Sequence, residues 1–298
     1  MLDYQLLSPE EDPEEVYPYR RVWRPLISEM GLFAFVVTLV ILLTEFEVLT
    51  DRHNRSLQLI IAILPVLAFL WFSARKERAV FRPRPNLVAV MALSAVLANG
   101  VAVPLIEQVY TPSQWLPTAG FFNRIFGYMA TEGILSTFIQ YAVVRYTVWD
   151  NHIRIRLDGV AYCAAAAVGY ATVFNVQLAL TEDPMMSTAV IRMLSTLYIH
   201  IMIGVVIGYF LGEFAISAPR IFWVPLGLIT GSFIYGIFEA FQAVSVRSGL
   251  STISTANRPI GPYVMSIIFA FLTVWIISFL IESADERLAA RQGVERVR

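Results

Sequence analysis

The sequence predicts an all-α, polytopic integral membrane protein of about eight transmembrane helices, with both its N and C termini cytoplasmic. Three observations carry that expectation: an apolar composition, eight long apolar stretches, and basic residues that gather on alternate loops. Hydrophobic residues make up 57% of the 298 and charged ones only 15%, with a mean hydropathy of +0.63. Soluble domains usually carry about 25% charge. Water is therefore not the solvent for most of this chain.

The elements follow in order. Residues 1–25 form an acidic tail (Glu10, Glu11, Asp12, Glu14, Glu15) without the basic start and small-residue cleavage site of a signal peptide. Spans are predicted over 26–47, 57–74, 87–109, 121–149, 159–180, 188–214, 221–244 and 262–281. At about 1.5 Å per residue, each can cross a hydrocarbon layer of about 30 Å. Residues 282–298 form a charged cytoplasmic tail. No internal repeat or low-complexity linker divides the chain, so 26–281 is read as one membrane domain with no soluble domain of useful size.

The orientation comes from counting lysine and arginine. The N-terminal segment, the 75–84 loop, the end of the fourth span and its following loop, Arg220 and the C-terminal tail together hold 16 of the 22. Arg52, Arg55, Arg247 and Arg258 are on the other side, while Arg124 and Arg192 sit inside spans near their outer ends. An even number of spans, with both ends inside, satisfies this distribution. The 75–84 stretch, broken by Pro83 and Pro85, sets topology and could also meet anionic lipid head groups or a cytoplasmic partner. The segment around Gln114, Trp115, Leu116 and Pro117 is expected at the outer interface. Cys163, the single cysteine, lies inside the fifth span and can form no intrachain disulfide. Pro65, Pro104 and Pro225 are expected to kink their helices by removing a backbone donor. Membrane lipids are expected neighbours, and no nucleic-acid partner is expected.

Ionisable groups at mid-bilayer cost about 2.5 to 3.5 kcal/mol on insertion scales, so they face protein or water and have partners. Glu132 and His200 both fall about 16 to 18 Å below the outer end of their spans. Around them the sequence repeats polar and small residues every four positions. Tyr128, Glu132, Ser136 and Gln140 mark the fourth span; Gly159, Cys163, Ala167, Ala171 and Asn175 mark the fifth. Arg192, Thr196, His200, Gly204, Gly208 and Gly212 mark the sixth; Gly227, Gly231, Tyr235 and Glu239 mark the seventh. Glycines at this spacing let a second helix backbone approach closely. Four helices are thus expected around a polar pocket holding Glu132, Asn175, His200 and Glu239. A plain structural role is also open, with Glu132 and His200 hydrogen-bonding each other to fix helix register.

The order of these elements resembles the PrsW family of bacterial intramembrane proteases, relatives of the CAAX-processing and bacteriocin-immunity membrane peptidases. In that family one helix carries Glu-Glu followed by Lys; the next begins near Asp-Gly and reaches Glu-Asn through Gly-Phe-Ala; a later helix supplies a His. The corresponding segments here are Thr131-Glu132, Asp158-Gly159 through Gly169 to Phe174-Asn175, and His200, so the resemblance centres on 121–214. It implies catalytic roles for Glu132 and His200, a bacterial plasma membrane location, and a divalent metal such as zinc held by the same two residues. Thr131, Leu135 and Phe174 depart from the pattern, standing where the family has the first Glu, the Lys and the Glu before Asn. Two residues leave a zinc site short of the usual three or four protein ligands. Glu239 or Glu107 could complete the set from other helices.

Three functions are consistent with this pattern. The favoured one is a non-catalytic relative, an adaptor or complex subunit that binds the transmembrane helix of a partner in a groove formed by Asn175, Tyr128, Ser136, Thr196, Gly204, Gly208 and Glu239. An active intramembrane peptidase is the alternative, with Glu132 as general base and His200 orienting water or stabilising the oxyanion. A small-molecule or proton-coupled carrier is the third, weakened by the lack of an inverted repeat.

Overall fold

A computed structural model describes residues 55–78, 84–153, 156–182, 186–216 and 222–248, together with most of 268–283. The predicted first span and the acidic tail lie outside these residues. All regular structure among the described residues is helical: α1 (Arg55–Arg78), α2 (Leu87–Leu97), α3 (Phe121–Tyr128), α4 (Ile134–Thr147), α5 (Arg156–Thr181), α6 (Met186–Ile216) and α7 (Trp223–Ser248). Among the described residues, four helical runs are long and apolar enough to cross a membrane: Leu87–Thr118, Arg156–Thr181, Arg192–Ala215 and Trp223–Phe241. Arg55–Trp71 and Phe271–Ile281 are shorter apolar helices. The fourth predicted span is not among the four, consistent with the polar side chains it carries.

The Leu87–Thr118 run and the 121–147 segment leave α geometry. After α2 the chain widens into π turns at Ala98–Ala102 and Leu105–Tyr110, on either side of Pro104, which has no N–H to give. A third π turn, Met129–Gly133, separates α3 from α4. Pro65 lies inside α1 as expected. Pro225 does not kink α7: it is in the first turn, where its missing donor would have had no intrahelical partner.

The core is built on α5 and α6, with α2 and α1 against α5, and α7 against α6. The small-residue stripes explain the main contact. A Cβ on Gly208 would stand 2.5 Å from Val160 Cα, and one on Gly159 2.4 Å from Gly208 O, so the two backbones touch. The groove that the glycines of α6 offer is filled by this chain's own fifth predicted span, and Gly204 and Gly208 are closed to a second protein. That is the main departure from the expected partner groove.

Ion pairs fasten the end of this contact where α5 starts and α6 finishes. Arg156 Nε donates to Glu213, and Arg84 Nε donates to Asp158 Oδ1 at 2.7 Å, with all four side chains largely buried. Tyr162, fully buried, donates its hydroxyl to Pro85 O at 2.9 Å and ties the entry of α2 to α5. Thr137 and Ser232 share a hydrogen bond of 2.8 Å between α4 and α7.

Gly208→Leu should wedge α5 from α6 and lower stability by about 1 to 3 kcal/mol or more, measured as an earlier unfolding midpoint in mixed micelles. Arg156→Met should cost about 3 to 5 kcal/mol, because it removes a buried guanidinium from a buried carboxyl group. Arg156→Met combined with Glu213→Leu should recover most of that loss in the same measurement.

Candidate functional site

Glu132 is on the π turn that divides 121–147. A π turn holds more residues per turn than an α turn, so it breaks the four-residue stripe predicted for this helix. Glu132 faces a cavity, whereas Ser136 is buried and donates to Gly133 O at 3.1 Å. Tyr128 is buried as well and does not line the cavity.

The cavity is about 230 Å³ and lies between α5, α6, α7 and the two π-containing segments. Glu132, His200, Thr196 and Glu239 line it; Asn175, Gly204 and Gly208 do not. Asn175 instead donates from Nδ2 to Met193 O at 3.1 Å and braces α5 against α6. Glu107, weighed from sequence as a replacement carboxylate, also lines the cavity and accepts from Gln177 Nε2 at 2.5 Å.

At the floor, Tyr235 donates its hydroxyl to Glu132 Oε2 at 2.6 Å. Glu239 follows Tyr235 by four residues on α7 and so shares its face. Glu132 and His200 form no hydrogen bond with each other; the partner of Glu132 is Tyr235, which the seventh stripe contained without assigning it this role. His200 is enclosed by rings, with centroids of Tyr170, Tyr235 and Phe174 at 4.6, 5.7 and 6.1 Å. It is 3% exposed, and its Nδ1 has no hydrogen-bond partner among the described residues. At the rim, Arg192 holds Glu182 through its two terminal guanidinium nitrogens, each side chain about half exposed (46% and 53%). The cavity therefore runs from an exposed charged mouth to a buried acidic and aromatic floor.

Thr131, Leu135 and Phe174 each have a definite structural use. Thr131 turns its hydroxyl back to Gly127 O at 2.8 Å. Leu135 joins the apolar core, and Phe174 lies nearly parallel to His200, with 27° between the ring planes. Tyr170 and Phe174 were not singled out as site residues from sequence. Their spacing of four from each other on α5 was the available signal.

The residues present do not fit a resident metal ion. Among the described residues no three His, Cys, Asp or Glu side chains are grouped so that they could hold one. Glu132 is engaged by Tyr235 and His200 is flanked by rings rather than by further ligands. The lining does offer four carboxyl groups, one guanidinium, one imidazole and two phenols around a space large enough for water.

The description "PrsW family intramembrane metalloprotease" matches residues 82–277. The Protease PrsW of Bacillus subtilis (strain 168) is 27% identical over 112 residues, which are 37% of this chain and 50% of that protein. Protease PrsW of Clostridioides difficile (strain 630) is 18% identical over 196 residues, covering 63% and 80% respectively. Protease PrsW of Geobacillus kaustophilus (strain HTA426) is 26% identical over 122 residues, or 40% and 53%. The chain thus spans about half the length of the Bacillus and Geobacillus relatives. No solved structure matches the chain. Because the matched region takes in well over half of the sequence and includes the whole of the cavity lining, the chain belongs to the PrsW family of intramembrane proteases.

Proposed function

We propose that this PrsW-family member binds a transmembrane segment of another membrane protein without cutting it, as an adaptor or complex subunit of a bacterial plasma membrane. The observation that carries this reading is the surroundings of His200. Phe174, at the position of the family's Glu before Asn, stacks on the imidazole, and Thr131, at the position of the first Glu, is spent on its own helix. Two acids of the motif are thus replaced by groups with packing roles. The binding surface is the cavity and its rim rather than the glycine stripe of α6.

The proposed arrangement has eight spans within 26–281, both termini cytoplasmic and short charged tails at 1–25 and 282–298. In it, the Glu182–Arg192 mouth opens toward the outer face. The basic-residue distribution supports that orientation.

The second reading is an intramembrane peptidase that acts through Glu132 and His200. It is favoured by the presence of Glu132, Glu239, Tyr235 and His200 on one cavity. In it Glu132 takes a proton from water as the water attacks a peptide carbonyl, His200 or Tyr235 donates to the oxyanion, and Glu132 returns the proton to the amine as the C–N bond breaks.

Mapping of N-terminal peptides from membranes expressing wild type or Glu132→Gln at equal levels separates the two. Identical maps are expected; N-termini beside transmembrane segments that vanish in the variant would establish the peptidase. Dialysis against a strong chelator should leave the unfolding midpoint of the purified protein unchanged. A large drop restored by zinc would show that metal contributes to the folded state.

A further inference from the structure

We propose that the cavity is a receptor site for an organic cation, an ammonium or guanidinium group. The group comes either from a lysine or arginine side chain on the bound membrane segment or from a free small amine. The first source rests on the binding reading above; the second does not.

Four carboxyl groups reach this space from separate parts of the chain: Glu107 from the π turn Leu105–Tyr110, Glu132 from the π turn Met129–Gly133, Glu182 just beyond α5, and Glu239 from α7. The one cationic side chain in the lining, Arg192, is already held by Glu182. Of the other three, Glu107 receives an amide and Glu132 a phenol, whereas Glu239 receives no hydrogen bond among the described residues. Four acids facing a membrane-embedded space that holds a single guanidinium leave room for a second cation.

An independent observation points to the same ligand. His200 lines the floor, is almost wholly buried, and leaves Nδ1 without a partner among the described residues. With the proton on Nε2, the Nδ1 lone pair accepts an N–H. The rings of Tyr170, Phe174 and Tyr235 add faces that attract cations.

Size decides against a bare ion. The acids share a cavity of about 230 Å³, yet no three of the possible ligands are grouped closely enough to hold a metal. Acceptors spread around a wider space suit a cation whose several N–H groups radiate outward. The Arg192–Glu182 pair at the mouth displays the same recognition within the chain.

The test uses the full chain in nanodiscs and three probes: n-butylammonium, a single-span peptide with one mid-span lysine, and its norleucine twin. The lysine peptide should bind at least about tenfold more tightly than the norleucine peptide, as expected for a desolvated ion pair. Butylammonium should compete with it, and Glu239→Gln should abolish the preference. Glu107→Gln, at the exposed rim, should weaken it and serves if Glu239→Gln fails to fold, as judged by elution and tryptophan emission.

Equal binding of both peptides would overturn the cation site and leave the adaptor reading standing. Binding of butylammonium that depends on Glu239, with neither peptide bound, would support the site with a free amine as its source and overturn the adaptor reading. If no probe binds, or if Zn²⁺ displaces the amines at far lower concentration, the proposal is overturned.

Discussion

The rest of the structure depends on one contact, the direct approach of two helix backbones where α5 and α6 cross at Gly159, Gly208 and Gly212. A lipid environment provides little hydrophobic drive between helices, so close packing must supply the association. Glycine gives that packing by letting one backbone rest on another. Large side chains occupy the opposite halves of the same two helices, including Tyr170 and Phe174 on α5 and His200 on α6, and it is there that the cavity opens. Tight packing at one end and a polar space at the other are two results of one size gradient along the pair.

The floor of the cavity combines groups able to move protons with side chains that only pack. An acid, a phenol, an imidazole and a second acid surround a common space, while nearby Thr131 bonds its own helix and Phe174 stacks on the imidazole. Both side chains are satisfied locally. A buried polar group that lost its partner would be costly, whereas replacing both members of an interaction is nearly neutral. That asymmetry favours side chains that either keep a partner or need none.

Much of this was legible in the sequence. Glu132 and His200 were matched by depth, Glu239 by its stripe, and Glu107 as a carboxylate on another helix; all four line one cavity. The glycine stripe was also legible, although its occupant was not: periodicity reveals that a helix face accepts a neighbour, without revealing which neighbour. Asn175 and Ser136 share stripes with the pocket residues, yet Asn175 bonds a carbonyl across to α6 and Ser136 one on its own helix. The partner of Glu132 was hidden for a different reason. A stripe read at four residues per turn presumes continuous α geometry, and 121–147 does not have it.

The wide turns have a consequence for how such a protein changes over time. Both the Glu107 and the Glu132 segments contain one, and a wide turn accommodates an extra residue without displacing the helices on either side. Loss of one residue there would restore ordinary winding and swing the acid about 100° around its axis, since each residue of an α-helix advances by that angle. The aim of a membrane-embedded acid can therefore be reset by an insertion or deletion as well as by substitution. Chain length within the bilayer becomes a heritable variable of the site, separate from the identity of its residues.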